Sequence, residues 1–244
     1  MATELPRPAF YALAPGGWRD YLTLLHPPYT AWHLSYVVIG AALAPEFAVS
    51  RLAPTLIAFF LAVGIGAHAL DEVNGRPLRT QIPGPVLGLL AALSIGGAAA
   101  IGIGGAVMVD PWIATFVAAG VFIVLAYNLE LAGGRFHSDV WFAIAWGGFP
   151  LLTAYFAAAE QIRPEAVLGT VFASALSLAQ RRLSTQVREI RRNVVAVNGR
   201  LDRLDGQSEL VTRETLTLPH EGALRAMAVA SVALAGALVL MRLA

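Results

Sequence analysis

The sequence of 244 residues lacks cysteine and lysine entirely and carries little charge of either sign. Without cysteine, the chain can form no disulfide, no thiolate nucleophile and no cysteine metal site. Without lysine, it cannot form a retinal Schiff base, because that bond needs a lysine amine. The formal net charge is only +1, so no strong electrostatic field attracts nucleic acid, and we expect no nucleic-acid partner.

Long apolar runs dominate what remains. Hydrophobic residues make up 57% of the chain and charged residues 14%, and the mean hydropathy is +0.65. Several uncharged runs reach the roughly 20 residues that cross a bilayer as a helix. We therefore predict an all-α fold, a polytopic membrane helix bundle with the bilayer as its surroundings.

Hydropathy and helix-breaking residues predict about seven transmembrane helices. Their ranges are roughly 30–48, 53–71, 85–108, 112–131, 140–159, 164–183 and 222–243. Arginine is concentrated in alternate loops, so the positive-inside rule predicts an inside N-terminus and a multi-pass protein of the cytoplasmic membrane. The predicted organisation is a cytoplasmic N-terminal segment (1–29), a six-helix membrane core (30–183), a polar arginine-rich cytoplasmic helix/loop connection (184–221) and a final transmembrane helix (222–244). Residues 180–193 are predicted as a helix that leaves the membrane.

A first polar cluster lies at the inner end of the second predicted span. His68, Asp71 and Glu72 have the i, i+3, i+4 spacing that places side chains on one helix face. Such a set could bind a divalent cation or act as an acid/base pair, and Arg76 and Arg79 could grip a phosphate. A purely structural alternative pairs Glu72 with Arg76 at the membrane boundary.

Two more polar clusters are expected on the same side of the membrane. Tyr127 and Asn128 end the fourth span, although a tyrosine there is also typical of an interfacial anchor. Arg181 and Arg182 lie at the inner end of the sixth span, and Glu189 follows it. These arginines could meet a phosphate, or they could hold the helix on an anionic membrane surface.

With these loops in place, the chain resembles the UbiA superfamily of intramembrane prenyltransferases over about residues 20 to 190. The stretch from Ala67 to Asp71, followed by Arg76-Pro77-Leu78, is similar to the family's first aspartate-rich element. The Tyr127-Asn128 pair and the helix from Trp141 to Tyr155 are similar to the family's tyrosine-containing loop and the helix after it. Ala67, His68 and Gly75 stand where the family has Asn or Asp, and no aspartate occupies the region of the second motif.

The resemblance implies a protein that transfers or binds an isoprenyl group from a prenyl diphosphate in a lateral cavity, with a reduced Mg²⁺ site. It implies catalytic roles for His68, Asp71, Glu72 and Tyr127, diphosphate binding by Arg76, Arg79, Asn128, Arg181 and Arg182, and metal ligation by Asp71, Glu72 and Glu189. The expected partners are an isoprenoid diphosphate or another lipid and the bilayer itself. Two alternatives stay open: a non-catalytic lipid- or pigment-binding subunit or assembly factor with this fold, and a small-solute transporter.

Overall fold

The computed structural model describes residues 7–244, and the first six residues of the predicted N-terminal segment lie outside the described chain. The fold is a helix bundle with one short β-hairpin. The helices are α1 (Trp18–Leu24), α2 (Pro27–Leu43), α3 (Val49–Val73), α4 (Gly84–Met108), α5 (Ile113–Asn128), α6 (Asp139–Ala159), α7 (Pro164–Asn193) and α8 (Arg213–Leu243), with a helical turn at Leu131–Gly134 between α5 and α6. The hairpin pairs β1 (Gly199–Asp202) with β2 (Ser208–Val211) in antiparallel register.

Within residues 7–244, four helices are long and apolar enough to cross a membrane, namely α3, α4, α6 and α8. The prediction of a largely helical chain, with several helices long and apolar enough to span a membrane, is therefore confirmed. The other three predicted spans fall on α2, α5 and α7, which the same criteria of length and apolarity do not select. The all-α prediction needs one correction, because the hairpin lies inside the predicted polar connection.

Two helices contain a wider π-helical segment near the polar end of the bundle. In α3 it spans Phe60–Ala67, directly before His68, and in α6 it spans Ala143–Gly148. A π segment shifts the face on which the following residues lie, and such segments are frequent at functional sites. In α3 the segment therefore affects the direction of the side chains that follow it, from His68 to Val73.

Glycines allow three helices to pack backbone to backbone. A Cβ added at Gly40 in α2 would collide with the carbonyl oxygen of Leu151 in α6. A Cβ added at Gly147 in α6 would collide with the carbonyl oxygen of Ala173 in α7. Small residues at these crossings let helices approach closely where lipid tails provide no hydrophobic driving force. These contacts hold α2, α6 and α7 together within the bundle.

Helix α7 continues past the predicted core boundary at residue 183 as one helix of 30 residues. Helix α8 begins at Arg213 rather than at 222, behind a capping box formed by Thr212 and Thr215. The two helices are joined at their polar ends by Arg191, whose Nε donates to the Glu221 carboxylate at 2.5 Å. Glu221 is 2% exposed, so this ion pair anchors the long polar extension of α7 to the bundle.

Candidate functional site

A polar cavity of about 310 Å³ lies at the end of the bundle where α3 and α5 finish. The N-terminal segment around Tyr11, the first turns of α2 and α6, and the polar half of α7 complete its walls. Five residues predicted from sequence line it: His68, Asp71, Tyr127, Asn128 and Arg181. The structure thus brings the three predicted polar clusters to one cavity.

Glu72 does not face this cavity. It is fully buried, and its two carboxylate oxygens accept hydrogen bonds from the backbone N–H groups of Leu78 (3.0 Å) and Thr80 (2.8 Å) and from the Thr80 hydroxyl (2.8 Å). Both oxygens are engaged by the loop after α3. Glu72 therefore has a structural role in this fold, and we do not retain the expected catalytic and metal-binding roles.

Four other predicted residues lie outside the cavity wall. The Arg76 guanidinium donates to the carbonyl oxygens of Thr80 and Ile82, each at 2.9 Å, and so closes its own loop. The other three do not line the cavity: Arg79 and Arg182 are exposed, and Glu189 is exposed and accepts a hydrogen bond from Asn193.

Sequence reasoning missed much of the wall. Four of the five histidines in the chain line the cavity, and three of them, His26, His33 and His137, were not among the residues predicted for the site. Arg188 and Arg192 were not among the residues predicted to bind the diphosphate, yet both line the cavity. Their spacing from Arg181, seven and eleven residues, is the helical signal that could have placed all three on one face of α7.

His33 and His68 each keep one ring nitrogen, Nε2, as a hydrogen-bond acceptor. Nδ1 of His33 lies 2.8 Å from the Trp146 carbonyl oxygen, and Nδ1 of His68 lies 3.1 Å from the Gly64 carbonyl oxygen. A carbonyl accepts hydrogen bonds, so Nδ1 carries the proton in each neutral ring and Nε2 keeps a lone pair. The cavity therefore offers hydrogen-bond acceptors as well as cations.

The N-terminal segment closes one side of the cavity. The Tyr11 hydroxyl lies 2.7 Å from Nδ1 of His26, whose ring stacks on His68 with centroids 3.9 Å apart. Burial lowers the pKa of His26 well below its ordinary value, with the neighbouring His68 as the next contribution, and burial raises the pKa of Tyr11. Phe10 packs edge-on against Tyr29 and lies under the Arg225 guanidinium of α8.

Several buried polar atoms of the cavity wall have no hydrogen-bond partner within the described chain. They are His26 Nε2, Tyr127 Oη, Gln180 Oε1 and Arg192 Nε. A buried polar group without a partner costs about 1–3 kcal/mol. Ordered water or a polar ligand in the cavity would satisfy these groups.

A second cavity, of about 340 Å³, shares the lining residue Trp146 with the first and extends along the bundle as far as Arg51 and Val109. Apolar side chains and the glycines of α4, among them Gly102 and Gly105, line most of it. Trp146 lines both cavities, and its ring packs near Tyr127 at 4.9 Å and Phe142 at 6.2 Å between centroids. A polar and an apolar cavity thus share a wall at Trp146.

The residues present do not fit the magnesium site that the resemblance implies. Mg²⁺ is held by carboxylates and other oxygen ligands in near-octahedral geometry. Of the predicted metal ligands, Asp71 alone lines the cavity, because Glu72 is engaged by backbone and Glu189 is exposed. In the part of the chain described, no group of three or more acidic or histidine side chains is arranged to hold a metal ion.

Comparisons of the chain with models of known protein families, with curated proteins and with solved structures gave no match.

Proposed function

We propose that this is a UbiA-like membrane protein that binds an isoprenyl diphosphate, with the diphosphate in the polar cavity and the isoprenyl chain in the apolar cavity. The observation that carries the proposal is the junction at Trp146 between an arginine-lined cavity and an apolar one. Arginine pairs with phosphate through charge-assisted and often bidentate hydrogen bonds. The apolar cavity supplies burial for the chain, worth about 0.8 kcal/mol per CH₂ group.

The proposed topology has seven spans with the N-terminus inside. Under it, the polar cavity opens on the arginine-rich side of the membrane, where a water-soluble diphosphate product could leave. The hairpin and the polar half of α7 lie on that side as well. The four long apolar helices support this arrangement, and α2, α5 and α7 supply the additional spans.

Prenyl transfer is the reaction we propose for this site. The C1–O bond of the donor breaks and its electron pair leaves with the diphosphate, while a nucleophile of the acceptor bonds to C1. The rings of Tyr127, Phe142 and Trp146 lie at the cavity junction, where their faces can stabilise developing positive charge on C1. Asp71 lines the cavity and, within residues 7–244, accepts no hydrogen bond and forms no ion pair. We assign to it the proton released by the acceptor.

Binding of farnesyl diphosphate to the purified protein in lipid nanodiscs tests the binding step. Quenching of tryptophan fluorescence reports occupancy near Trp146. Farnesol, which lacks the diphosphate, and inorganic pyrophosphate, which lacks the isoprenyl chain, are measured for comparison. We expect farnesyl diphosphate to bind more tightly than either of these two compounds, because it fills both cavities. Equal affinity for farnesyl diphosphate and farnesol would contradict the assignment of the polar cavity to the diphosphate.

The second candidate is a non-catalytic lipid-binding protein of the same fold. It is favoured by the engaged carboxylate of Glu72 and by the single predicted metal ligand, Asp71, left at the cavity. Incubation with farnesyl diphosphate and a panel of aromatic and hydroxylated acceptors separates the two candidates. Release of pyrophosphate with formation of a prenylated product supports the enzyme, whereas binding without pyrophosphate release supports the lipid-binding protein.

A further inference from the structure

Arg188 and Arg192 form a like-charge pair within the polar cavity. They are four residues apart on α7, so their side chains lie on one helix face. Like charges at this spacing destabilise a helix by a few tenths of a kcal/mol. Burial lowers the pKa of both guanidiniums, and for Arg188 the charges of Arg181 and Arg192 are the next causes.

Other arginines of α7 show how the fold neutralises a guanidinium when it serves structure. Arg181 lies 3.3 Å from the Asp139 carboxylate and packs over the Phe142 ring. Arg191 pairs with the buried Glu221. Through these contacts, Arg181 connects α7 to α6 and Arg191 connects α7 to α8.

Arg188 and Arg192 have no such partner. Within residues 7–244, no carboxylate oxygen lies within the 4.0 Å of an ion pair from either guanidinium, although Asp71 lines the same cavity. Arg188 donates to the Thr185 hydroxyl of its own helix at 3.0 Å, and Nε of Arg192 is buried without an acceptor. The two cations and the Asp71 carboxylate line the same cavity without forming an ion pair with one another.

We propose that Arg188 and Arg192 hold the diphosphate of the ligand directly, without a divalent cation, in place of the metal-bridged contact that the family resemblance implies. The inference rests on the proposed function, since it names the groups that receive the diphosphate. The Tyr127 hydroxyl, buried in the same wall without a partner, is a further donor for a phosphate oxygen. A phosphate oxygen accepts all of these hydrogen bonds and relieves the repulsion between the two arginines.

Whether Asp71→Asn weakens or preserves the binding of farnesyl diphosphate distinguishes this arrangement from a metal-bridged one. If a magnesium ion joined Asp71 to the diphosphate, Asp71→Asn would weaken binding. If the arginines bind the diphosphate directly, Asp71 repels it, and Asp71→Asn should bind farnesyl diphosphate at least as tightly as the wild type. Asp71→Asn would then lower the rate of pyrophosphate release and leave the affinity for farnesyl diphosphate undiminished.

The experiment measures the Kd of farnesyl diphosphate for the full-length protein in neutral-lipid nanodiscs, once with excess EDTA and once with Mg²⁺. Inorganic pyrophosphate and vesicles of an anionic phospholipid are parallel probes that distinguish a prenyl diphosphate from free or lipid-borne phosphate. We expect binding of farnesyl diphosphate in EDTA within about threefold of that in Mg²⁺. Arg192→Gln and Arg188→Gln should each weaken it about 10- to 100-fold, which is the loss of one charged hydrogen bond of about 1.5–3 kcal/mol.

Arg182→Gln is the matched control, because Arg182 lies on the same helix but is exposed outside the cavity. It should leave the Kd unchanged, and thermal unfolding of every variant checks that it folds. If Arg192→Gln does not fold, Arg188→Gln and Asp71→Asn carry the test. Binding that disappears in EDTA, or that weakens in Asp71→Asn, overturns direct arginine recognition and leaves the proposed function standing. An absence of binding with and without Mg²⁺ overturns both.

Discussion

Glu72 and Asp71 are adjacent in the chain, and exchanging each carboxylate for its amide should have opposite consequences. Glu72→Gln keeps an oxygen that can accept from the N–H and hydroxyl of Thr80. It also puts an NH₂ group against the backbone N–H of Leu78, which now donates to the other oxygen. That buried N–H loses its acceptor, at a cost of about 1–3 kcal/mol.

The cost of Glu72→Gln should appear as a lower Tm. For a chain of this size, 1 kcal/mol corresponds to about 2–4 °C, so a fall of roughly 2–12 °C is expected. Asp71→Asn removes no hydrogen bond or ion pair seen within residues 7–244, so its Tm should stay close to that of the wild type. Thermal unfolding in the same detergent, followed by tryptophan fluorescence, compares the two variants.

The reasoning is refuted if Glu72→Gln keeps the wild-type Tm and instead abolishes ligand binding. That result would mean that Glu72 faces the ligand and that the loop after α3 does not need its carboxylate. A large loss of Tm in Asp71→Asn would contradict the other half, because it would show that Asp71 has a structural partner.

Three further predictions concern stability, and thermal unfolding checks each. Burial lowers the pKa of His26 in the folded protein, so as the pH falls the unfolded chain takes up the imidazole proton at a higher pH than the folded protein does. Tm should therefore fall as the pH drops below about 6.5, and His26→Gln should make Tm less dependent on pH in this range. Gly40→Ala should lower stability by about 1–3 kcal/mol through a clash with the facing helix, whereas Gly96→Ala, with open space at its Cβ, should not. Arg191→Gln should cost about 3–5 kcal/mol because it leaves the buried carboxylate of Glu221 without its cation.

The helices were predictable because long apolar runs and prolines mark them in the sequence. The β-hairpin was not, since its strands are four residues long and lack a clear apolar alternation, with Leu201 and Leu210 both exposed. The end of α7 was predicted as a helix leaving the membrane, which the structure shows as a continuous element to Asn193. The pattern of apolar residues and prolines thus located the helices, but it could not predict the pairing of two short exposed strands.

At the site, sequence spacing located Asp71 and Tyr127 in the cavity but could not separate Asp71 from Glu72. The two carboxylates are adjacent, so which one points to the cavity depends on the π-helical segment before them and on the loop that returns to Glu72. His26 carried no spacing signal, because the N-terminal segment that covers it is brought there by tertiary packing. The arginines of α7 carried such a signal in their helical spacing, which an analysis of the helix face would have used.

A structure of the protein in nanodiscs with a non-hydrolysable farnesyl diphosphate analogue, in EDTA, tests the central claim most directly. The account predicts phosphate oxygens within hydrogen-bond distance of Arg188 and Arg192 and an isoprenyl chain that passes Trp146 into the apolar cavity. A ligand bound instead at the loop of Arg76 and Arg79, or a farnesyl chain outside the apolar cavity, would contradict it.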